Sequence, residues 1–313
     1  MALRLVPTTT NLNFLRWRFL CAAVSLVLII VTGALLGTKG LNFGIDFAGG
    51  TLVQVQIEKP TPVSDIRGAM QRAGWEGLVI QEYGSPNEIL IRMPGDLLDP
   101  SQAGSIASDM SEALVPVAGE IEVRRVEYVG PQIGDELKRK GLMAIILSAI
   151  AILIYVSVRF EFRFAVGAVV ALIHDIVLTV GLFSFTQKEI SMPVLAALLT
   201  IIGYSLNDTI VVFDRVRENM RKFKKKQLTD VLNLSVNEML NRTLMMTLTT
   251  LVVLIALFVY GGEVIHDFAF ALIVGVVVGT YSSTYIAAPV VLWMNNKNKT
   301  AEQQALEEDA NNI

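Results

Sequence analysis

Long runs of apolar residues dominate the pattern of hydrophobic and polar positions along the chain. A helix that crosses a membrane needs about 20 mostly apolar residues, because it must cover about 30 Å of hydrocarbon at about 1.5 Å per residue. Six runs meet this requirement, at residues 19–36, 141–158, 164–186, 192–213, 243–262 and 268–294. The pattern therefore predicts an α-helical membrane protein with six transmembrane helices.

The pattern changes between residues 37 and 140, where apolar and polar residues alternate as they do in half-buried strands. Strands are predicted at 51–57, 77–82, 88–93 and 121–128, and helices at 64–73 and 99–114. Ser64 is expected to cap the first of these helices, and Pro116 to help end the second. The order β-α-β-β-α-β predicts a small ferredoxin-like α+β domain between the first two transmembrane helices.

This α+β domain carries no sign of catalytic chemistry. Residues 37–140 contain no His and no Cys, and their acidic residues are scattered along the sequence. We therefore interpret the domain as a binding or mechanical module.

The distribution of Lys and Arg predicts the orientation, because these residues accumulate in cytoplasmic loops. Seven of them fall within residues 215–226, and three precede the first apolar run. Both termini, residues 1–18 and 295–313, are therefore predicted to be cytoplasmic, and the α+β domain periplasmic. A basic cluster at 138–140 conflicts with this, but it ends a domain of about 100 residues, and such long domains cross the membrane largely regardless of charge.

Residues 214–242, between the fourth and fifth runs, are basic at first and then amphipathic. Such a segment binds anionic lipid headgroups well. We expect a cytoplasmic loop that lies on the inner leaflet of the bilayer or contacts a cytoplasmic partner.

Composition and motifs narrow the function. The chain is 53% hydrophobic and 18% charged, and its net charge of -3 gives no reason to expect a nucleic-acid partner. It contains neither the Gly-x4-Gly-Lys-Ser/Thr pattern of P-loop ATPases nor the His-Glu-x-x-His pattern of metalloproteases. Any work that the protein performs must therefore draw on a partner or on an ion gradient.

Asp208 is the strongest functional candidate, because an ionisable side chain inside a membrane span indicates a functional site. It lies sixteen residues after Met192, so a helix would place it about 24 Å from the outer surface. Tyr204, Ser205 and Asn207 add polar groups nearby. A buried carboxylate of this kind can carry a proton; the alternative is a structural polar contact between helices.

Arg242 opens the fifth span, at a depth close to that expected for Asp208. Thr243, Thr247 and Thr250 follow at helical spacing and form a polar stripe on one face. The stripe favours an inward-facing role for this segment, and the alternative for Arg242 is an ordinary cytoplasmic anchor.

Two further ionisable residues, His174 and Asp175, lie near the middle of the third span. They are candidate relay members, although Asp175 could simply be the partner of His174. In the sixth span a small residue recurs every four positions, at Ala271, Gly275, Gly279, Ser283 and Ala287. Such a face lets another helix approach closely.

Four segments resemble the SecD/SecF family of protein-export membrane proteins. Residues 43–50 read Phe-Gly-Ile-Asp-Phe-Ala-Gly-Gly and are similar to its signature, in which Gly44, Asp46, Gly49 and Gly50 stand out. Residues 129–137 are similar to a second motif, and residues 202–219 and 241–250 resemble the fourth and fifth helices of the SecF branch. The single short domain also favours SecF over SecD.

The resemblance implies a half of an RND-type transporter in the bacterial inner membrane. Such a protein pairs with SecD and works with the SecYEG translocon and YajC on a translocating unfolded polypeptide. It uses the proton motive force and needs no cofactor other than protons. The resemblance also implies that Asp208 is the proton-carrying carboxylate and Arg242 its partner, with Asn207, Thr243, Thr247, His174 and Asp175 as possible contributors.

Two other functions are compatible with the sequence. One is a proton-coupled RND exporter of small molecules or lipids. The other is an intramembrane aspartyl protease using Asp175 and Asp208, whereas the main hypothesis expects no enzyme activity. A secretion assay, a transport assay and a peptide-cleavage assay would separate the three.

Overall fold

The computed structural model describes residues 10–93 and 103–296. Within these residues six helices are long and apolar enough to cross a membrane. They span Phe14–Thr38, Pro131–Arg159, Phe162–Thr186, Met192–Lys222, Leu228–Tyr260 and Ile265–Asn296. The predicted six-helix architecture, with a domain inserted after the first helix, is confirmed.

We label the elements in chain order. The first spanning helix is α1 (Arg18–Thr38), followed by β1 (Asn42–Phe43), α2 (Ile45–Ala48), β2 (Gly50–Ile57), α3 (Val63–Arg72), β3 (Val79–Tyr83), β4 (Ser85–Met93), α4 (Ala103–Ala118) and β5 (Ile121–Val129). The remaining elements are α5 (Pro131–Arg159), α6 (Phe162–Thr186), β6 (Glu189–Ile190), α7 (Met192–Lys222), α8 (Leu228–Tyr260) and α9 (Glu263–Ser282). A π-helical turn, Ser283–Ala287, continues α9.

The helices extend beyond the apolar runs that predict them. Helix α5 begins ten residues before the predicted span at 141, and α7 and α8 leave only residues 223–227 between them. The loop predicted at 214–242 is therefore mostly helical, because Lys, Arg and Glu are good helix formers whether or not lipid surrounds them. Arg215 of α7 and Glu238 of α8 form an ion pair of 2.6 Å that closes this hairpin.

The inserted α/β domain has the predicted ferredoxin-like fold. Its four-stranded sheet has the order β3-β4-β2-β5 with every neighbouring pair antiparallel. Helices α3 and α4 cover one face, where Ile66, Met70, Met110 and Leu114 are fully buried. The alternating apolar residues of β2 supply the other half of this core.

Local details of the domain differ from the prediction. Helix α3 begins at Val63 after Pro62, and Ser64 donates to Asp65 instead of capping the helix. Pro116 lies inside α4 and does not end it. The helix continues to Ala118, which is fully buried, so packing in the core outweighs the hydrogen bond that proline cannot make. The predicted start of this helix at 99 lies outside the described residues.

Within the bundle, α9 packs closely against α7. A Cβ on Gly275 would overlap the side chain of Ile201, and one on Gly279 would lie 3.1 Å from the Cβ of Ser205. The small-residue face of the sixth span therefore meets another helix of the same chain. This packing brings the polar residues of α7 and α9 together.

Candidate functional site

Asp208 lies where three helices meet. It sits on the buried face of α7 and is 5% exposed. Its Oδ1 accepts a hydrogen bond of 2.6 Å from the Thr243 hydroxyl of α8, and its Oδ2 accepts one of 2.7 Å from the Ser283 hydroxyl at the end of α9. Both carboxylate oxygens are therefore held by neutral donors from two different helices.

Arg242 does not contact Asp208 in this structure. Both residues lie in the described part of the chain, and no salt bridge joins them; the side chain of Arg242 is exposed. One helical residue corresponds to a rotation of about 100°, so the buried Thr243 and the preceding Arg242 face different directions on α8. The role of Arg242 as the partner of Asp208 stays a prediction.

The remaining candidates near Asp208 separate into two groups. Thr247 is buried one turn after Thr243, where its hydroxyl lies 2.8 Å from that of Thr280 on α9. Asn207, in contrast, has a side chain that is exposed on the outer face of α7. Thr247 therefore belongs to the interior of the bundle, whereas Asn207 belongs to its surface.

A second buried carboxylate, Asp175 of α6, lies in the same bundle and is fully buried. Its Oδ1 is 3.0 Å from Nδ1 of His174. Its Oδ2 accepts hydrogen bonds from Ser205 of α7 at 2.5 Å and from Ser282 of α9 at 2.8 Å. Asp175 thus pairs with His174, as one sequence interpretation proposed, and also connects three helices.

The hydrogen-bond network continues from His174 to α1. The Nε2 atom of His174 lies 3.1 Å from the Ser25 hydroxyl, which lies 3.1 Å from the Tyr281 hydroxyl. Tyr281 in turn donates to the backbone oxygen of Cys21 at 2.9 Å. A chain of exchangeable protons therefore joins α1, α6 and α9.

Two consecutive serines, Ser282 at the end of α9 and Ser283 in the π-helical turn, each bind one of the two carboxylates. Ser282 donates to Asp175, and Ser283 donates to Asp208. The π-helical turn begins at Ser283, and such turns are frequent at functional sites. Sequence analysis missed the role of Ser25, Tyr281 and Ser282, and polar side chains within an apolar span were the signal that could have found them.

The geometry does not support an aspartyl protease. That chemistry needs two carboxylates side by side that share a proton. Among the described residues, the Asp175 and Asp208 side chains instead bind separate sets of hydroxyl groups. The arrangement can bind and release protons at two separate carboxylates, each held by rotatable hydroxyls.

The signature residues lie at the junction of the α/β domain and the bundle, away from Asp208. Oδ2 of Asp46 accepts a hydrogen bond of 2.8 Å from the backbone N–H of Met192, the first residue of α7. Gly49 has a φ of 73°, and a Cβ there would lie 2.9 Å from Cα of Pro131. Gly44 and Gly50 flank this segment, so the signature forms a structural joint.

Two family models match the chain. The model described as protein export membrane protein SecD/SecF, C-terminal, matches residues 109–297. The model described as the SecD/SecF GG motif matches residues 34–61, which include the signature. Together they cover most of the described helices and the joint between domain and bundle.

Curated relatives are similar over nearly their whole length. A protein translocase subunit SecF from Magnetococcus marinus is 52% identical over 302 residues, which are 95% of this chain and 97% of the relative. A protein of the same name from Escherichia coli O157:H7 is 37% identical over 302 residues, covering 95% and 92%.

Solved structures show the same fold. The crystal structure of SecDF, a translocon-associated membrane protein from Thermus thermophilus, matches 93% of this chain with a TM-score of 0.84 and 34% identity. SecDF in its super-membrane-facing form matches 96% with a TM-score of 0.72. This chain spans 40% and 41% of the length of those two chains. The chain belongs to the SecD/SecF family of protein-export membrane proteins and, within that family, to the SecF subunits.

Proposed function

We propose that this chain is a subunit of a protein-export machinery that couples proton movement through the membrane to the translocation of secreted proteins. Its relatives are named as translocase subunits, and a similar solved structure is described as translocon-associated. The observation that carries the proposal is Asp208, a buried carboxylate held by hydroxyl groups from two other helices. The chain acts as a transport component and not as an enzyme.

Protonation of Asp208 would change how α7, α8 and α9 pack. An ionised carboxylate accepts the hydrogen bonds of both Thr243 and Ser283, whereas a protonated one carries a donor on one oxygen. One of the two hydroxyls must then turn or move away. A proton arriving at Asp208 therefore changes the contacts between helices, which is the step that a proton-driven machine requires.

Arg242 supplies the opposite charge in this scheme. A guanidinium is always protonated at working pH, so Arg242 cannot be the carrier. A movement of α8 that brought it against Asp208 would favour the ionised carboxylate and release the proton. His174 and Asp175 extend the path with a second site, and protons are the only coupling agent that the scheme needs.

The surface of α7 indicates where a second helix bundle would bind. Ala196, Thr200, Gly203 and Asn207 are exposed and lie along one face of the helix. An amide side chain in contact with lipid leaves its hydrogen bonds unsatisfied, which is unfavourable in hydrocarbon. We propose that SecD covers this face, since the SecDF chains are long enough to contain a second bundle.

The remaining partners and the location complete the proposal. The SecYEG translocon, YajC and the translocating unfolded polypeptide are the partners, and the bacterial inner membrane is the site. The arginine and lysine distribution supports cytoplasmic termini and a periplasmic α/β domain. Cysteine-accessibility labelling at Ser101 tests the orientation, and labelling from the cytoplasmic side alone would contradict it.

A secretion assay tests the proposed function. Cells that depend on the variant Asp208→Asn should export a secreted reporter more slowly, because asparagine keeps the size of the side chain but cannot carry a proton. Asp109→Asn is the matched control, since Asp109 is an exposed residue of α4. Export at the wild-type rate by Asp208→Asn cells with an intact gradient would refute proton coupling at this site.

A further inference from the structure

The joint between the α/β domain and the bundle is built around the start of α7, the helix that carries Asp208. The short loop before α7 forms β6, which pairs in parallel with β1. The N–H of Gly44 adds a hydrogen bond of 2.9 Å to the oxygen of Ile190. Strand β1, at the base of the domain, is therefore attached through backbone contacts to Glu189 and Ile190. A single residue, Ser191, separates these two from α7.

Asp46 holds the first turn of α7 directly. The first N–H groups of a helix have no partner within the helix, and a side-chain oxygen usually satisfies one of them. Ser191 occupies the N-cap position but gives no side-chain hydrogen bond to the helix within the described chain. The carboxylate of Asp46, which comes from the signature segment, accepts the Met192 N–H instead. Its negative charge also suits the positive end of the helix dipole.

An ion pair joins the sheet to the same loop. Arg92 of β4 donates 2.9 Å to Oε2 of Glu189 in β6 and 2.5 Å to the backbone oxygen of Phe43 in β1. Arg92 is 7% exposed, so the ion pair is shielded from solvent. Buried ion pairs are screened by salt far less than pairs at a surface. One arginine thus connects the centre of the sheet to both strands of the joint.

The glycines of the signature permit this close packing. A Cβ on Gly44 would overlap the carboxylate of Glu189. A Cβ on Gly134 of α5 would lie 3.0 Å from the backbone nitrogen of Gly49. The signature segment is therefore wedged between β6 on one side and the start of α5 on the other.

We propose that Asp46, Arg92 and Glu189 are positioning residues that transmit displacement of α7 to the α/β domain. Helix α7 is continuous from Met192 to Lys222, so movement of the segment around Asp208 displaces its first turn as well. The Asp46 cap and the Arg92–Glu189 pair make the domain follow that turn. The inference rests on the proposed function, because it assigns a path from the proton site to the domain.

A distance measurement tests this path in the full chain, purified with the proteins that accompany it and reconstituted in liposomes. Spin labels are placed at Glu112 of α4 and Tyr260 of α8, both exposed, after Cys21, the single cysteine, is replaced by alanine. The distance distribution between the two labels is compared in the chain that retains Asp208 and in the same chain with Asp208→Asn. We expect Asp208→Asn to shift the distribution.

The same comparison is then made with Asp46→Ala and Arg92→Gln combined, because alanine has no side-chain oxygen to accept the Met192 N–H. We expect the shift caused by Asp208→Asn to be lost. Arg124→Gln is the matched control, because Arg124 pairs with Glu122 on the exposed edge of the same sheet, and it should keep the full shift. Replacing Arg92 by Lys in place of Gln retains the charge. This chain should recover part of the shift, which would exclude simple misfolding as the cause of its loss.

The outcomes separate the two proposals. A shift that persists unchanged in the Asp46→Ala, Arg92→Gln chain overturns the transmission path and leaves the proposed function standing. The absence of any shift on Asp208→Asn, in every background, overturns both the path and the coupling of Asp208 to movement. Loss of the shift in the double variant alone supports the path.

Discussion

At the scale of single residues, the site depends on neutral hydroxyl donors around Asp208. Thr243 and Ser283 each hold one oxygen of its carboxylate. A hydrogen bond to a charged group contributes about 1.5–3 kcal/mol to stability. These donors stabilise the ionised form without fixing it, since each hydroxyl can turn away.

Thr243→Val removes one of these donors while keeping the shape of the side chain. We expect slower export and a folded state weakened by about 1–3 kcal/mol, because a buried acceptor loses its partner. Thr243→Ser should retain most of the activity. Thr249→Val is the control, since Thr249 is exposed and, among the described residues, its hydroxyl bonds only to carbonyls of its own helix. Equal loss in both valine variants, measured by reporter export, would contradict the role of Thr243.

Glu189 makes the joint sensitive to pH. Burial raises the pKa of its carboxyl above the ordinary value, while the Arg92 guanidinium acts in the opposite direction. The cavity that it lines also holds the charged or titratable groups of Asp46, Glu82, Arg125, Glu127, Lys188, His266 and Asp267. Because the folded chain holds this proton more tightly than the unfolded chain, stability falls as pH rises from the ordinary to the raised pKa.

Thermal unfolding in detergent tests this sign. The wild-type chain should lose stability relative to Glu189→Gln as the pH rises through that window, since glutamine does not titrate. A difference between the two chains that stays constant with pH, or that grows in favour of the wild type, would contradict the assignment.

At the scale of elements, the sequence predicts the positions of helices and strands well. It predicts poorly how each helix is rotated about its own axis. Apolar runs identify all six spans, because a helix in hydrocarbon must expose apolar side chains. The alternation of apolar and polar residues identifies the strands of the domain. The run of small residues in α9 also predicts a close approach. It does not reveal the partner, which is α7 of the same chain, because composition carries no information about which helix lies opposite.

The Asp208 site shows the same limit. The spacing brings Asp208 and Thr243 to similar depths, but the choice between Thr243 and Arg242 as the contact depends on the rotation of α8. Packing of the whole bundle sets that rotation. The contact of Ser283 with Asp208 was not predicted for a related reason, because it arises at a π-helical turn that the sequence pattern does not indicate.

Gly275→Leu tests the packing of α7 on α9. The added side chain would collide with Ile201, and overpacking a close contact costs about 1–3 kcal/mol or more. We expect a lower thermal midpoint in detergent for the isolated chain. Gly33→Leu is the control, since within the described part of the chain nothing lies within 4 Å of a Cβ at that position in α1. An unchanged midpoint for Gly275→Leu would show that the helices are packed differently.

At the scale of the whole molecule, α7 presents an exposed face formed by Ala196, Thr200, Gly203 and Asn207. Gly203 lies at its centre, and no atom of the described residues lies within 4 Å of a Cβ built there. Gly203→Leu should therefore leave the isolated chain as stable as the wild type and reduce the amount of SecD that co-purifies with it. Gly33→Leu again serves as the control. Co-purification at the wild-type level would exclude this face as the interface.

We propose that proton movement through Asp208 drives export. The most direct measurement follows completion of translocation of a secreted protein in inner-membrane vesicles, with the proton gradient imposed and then collapsed by an uncoupler. Translocation into wild-type vesicles should become slower when the gradient collapses. Translocation into Asp208→Asn vesicles should be slow under both conditions. Full acceleration by the gradient in Asp208→Asn vesicles would contradict the claim.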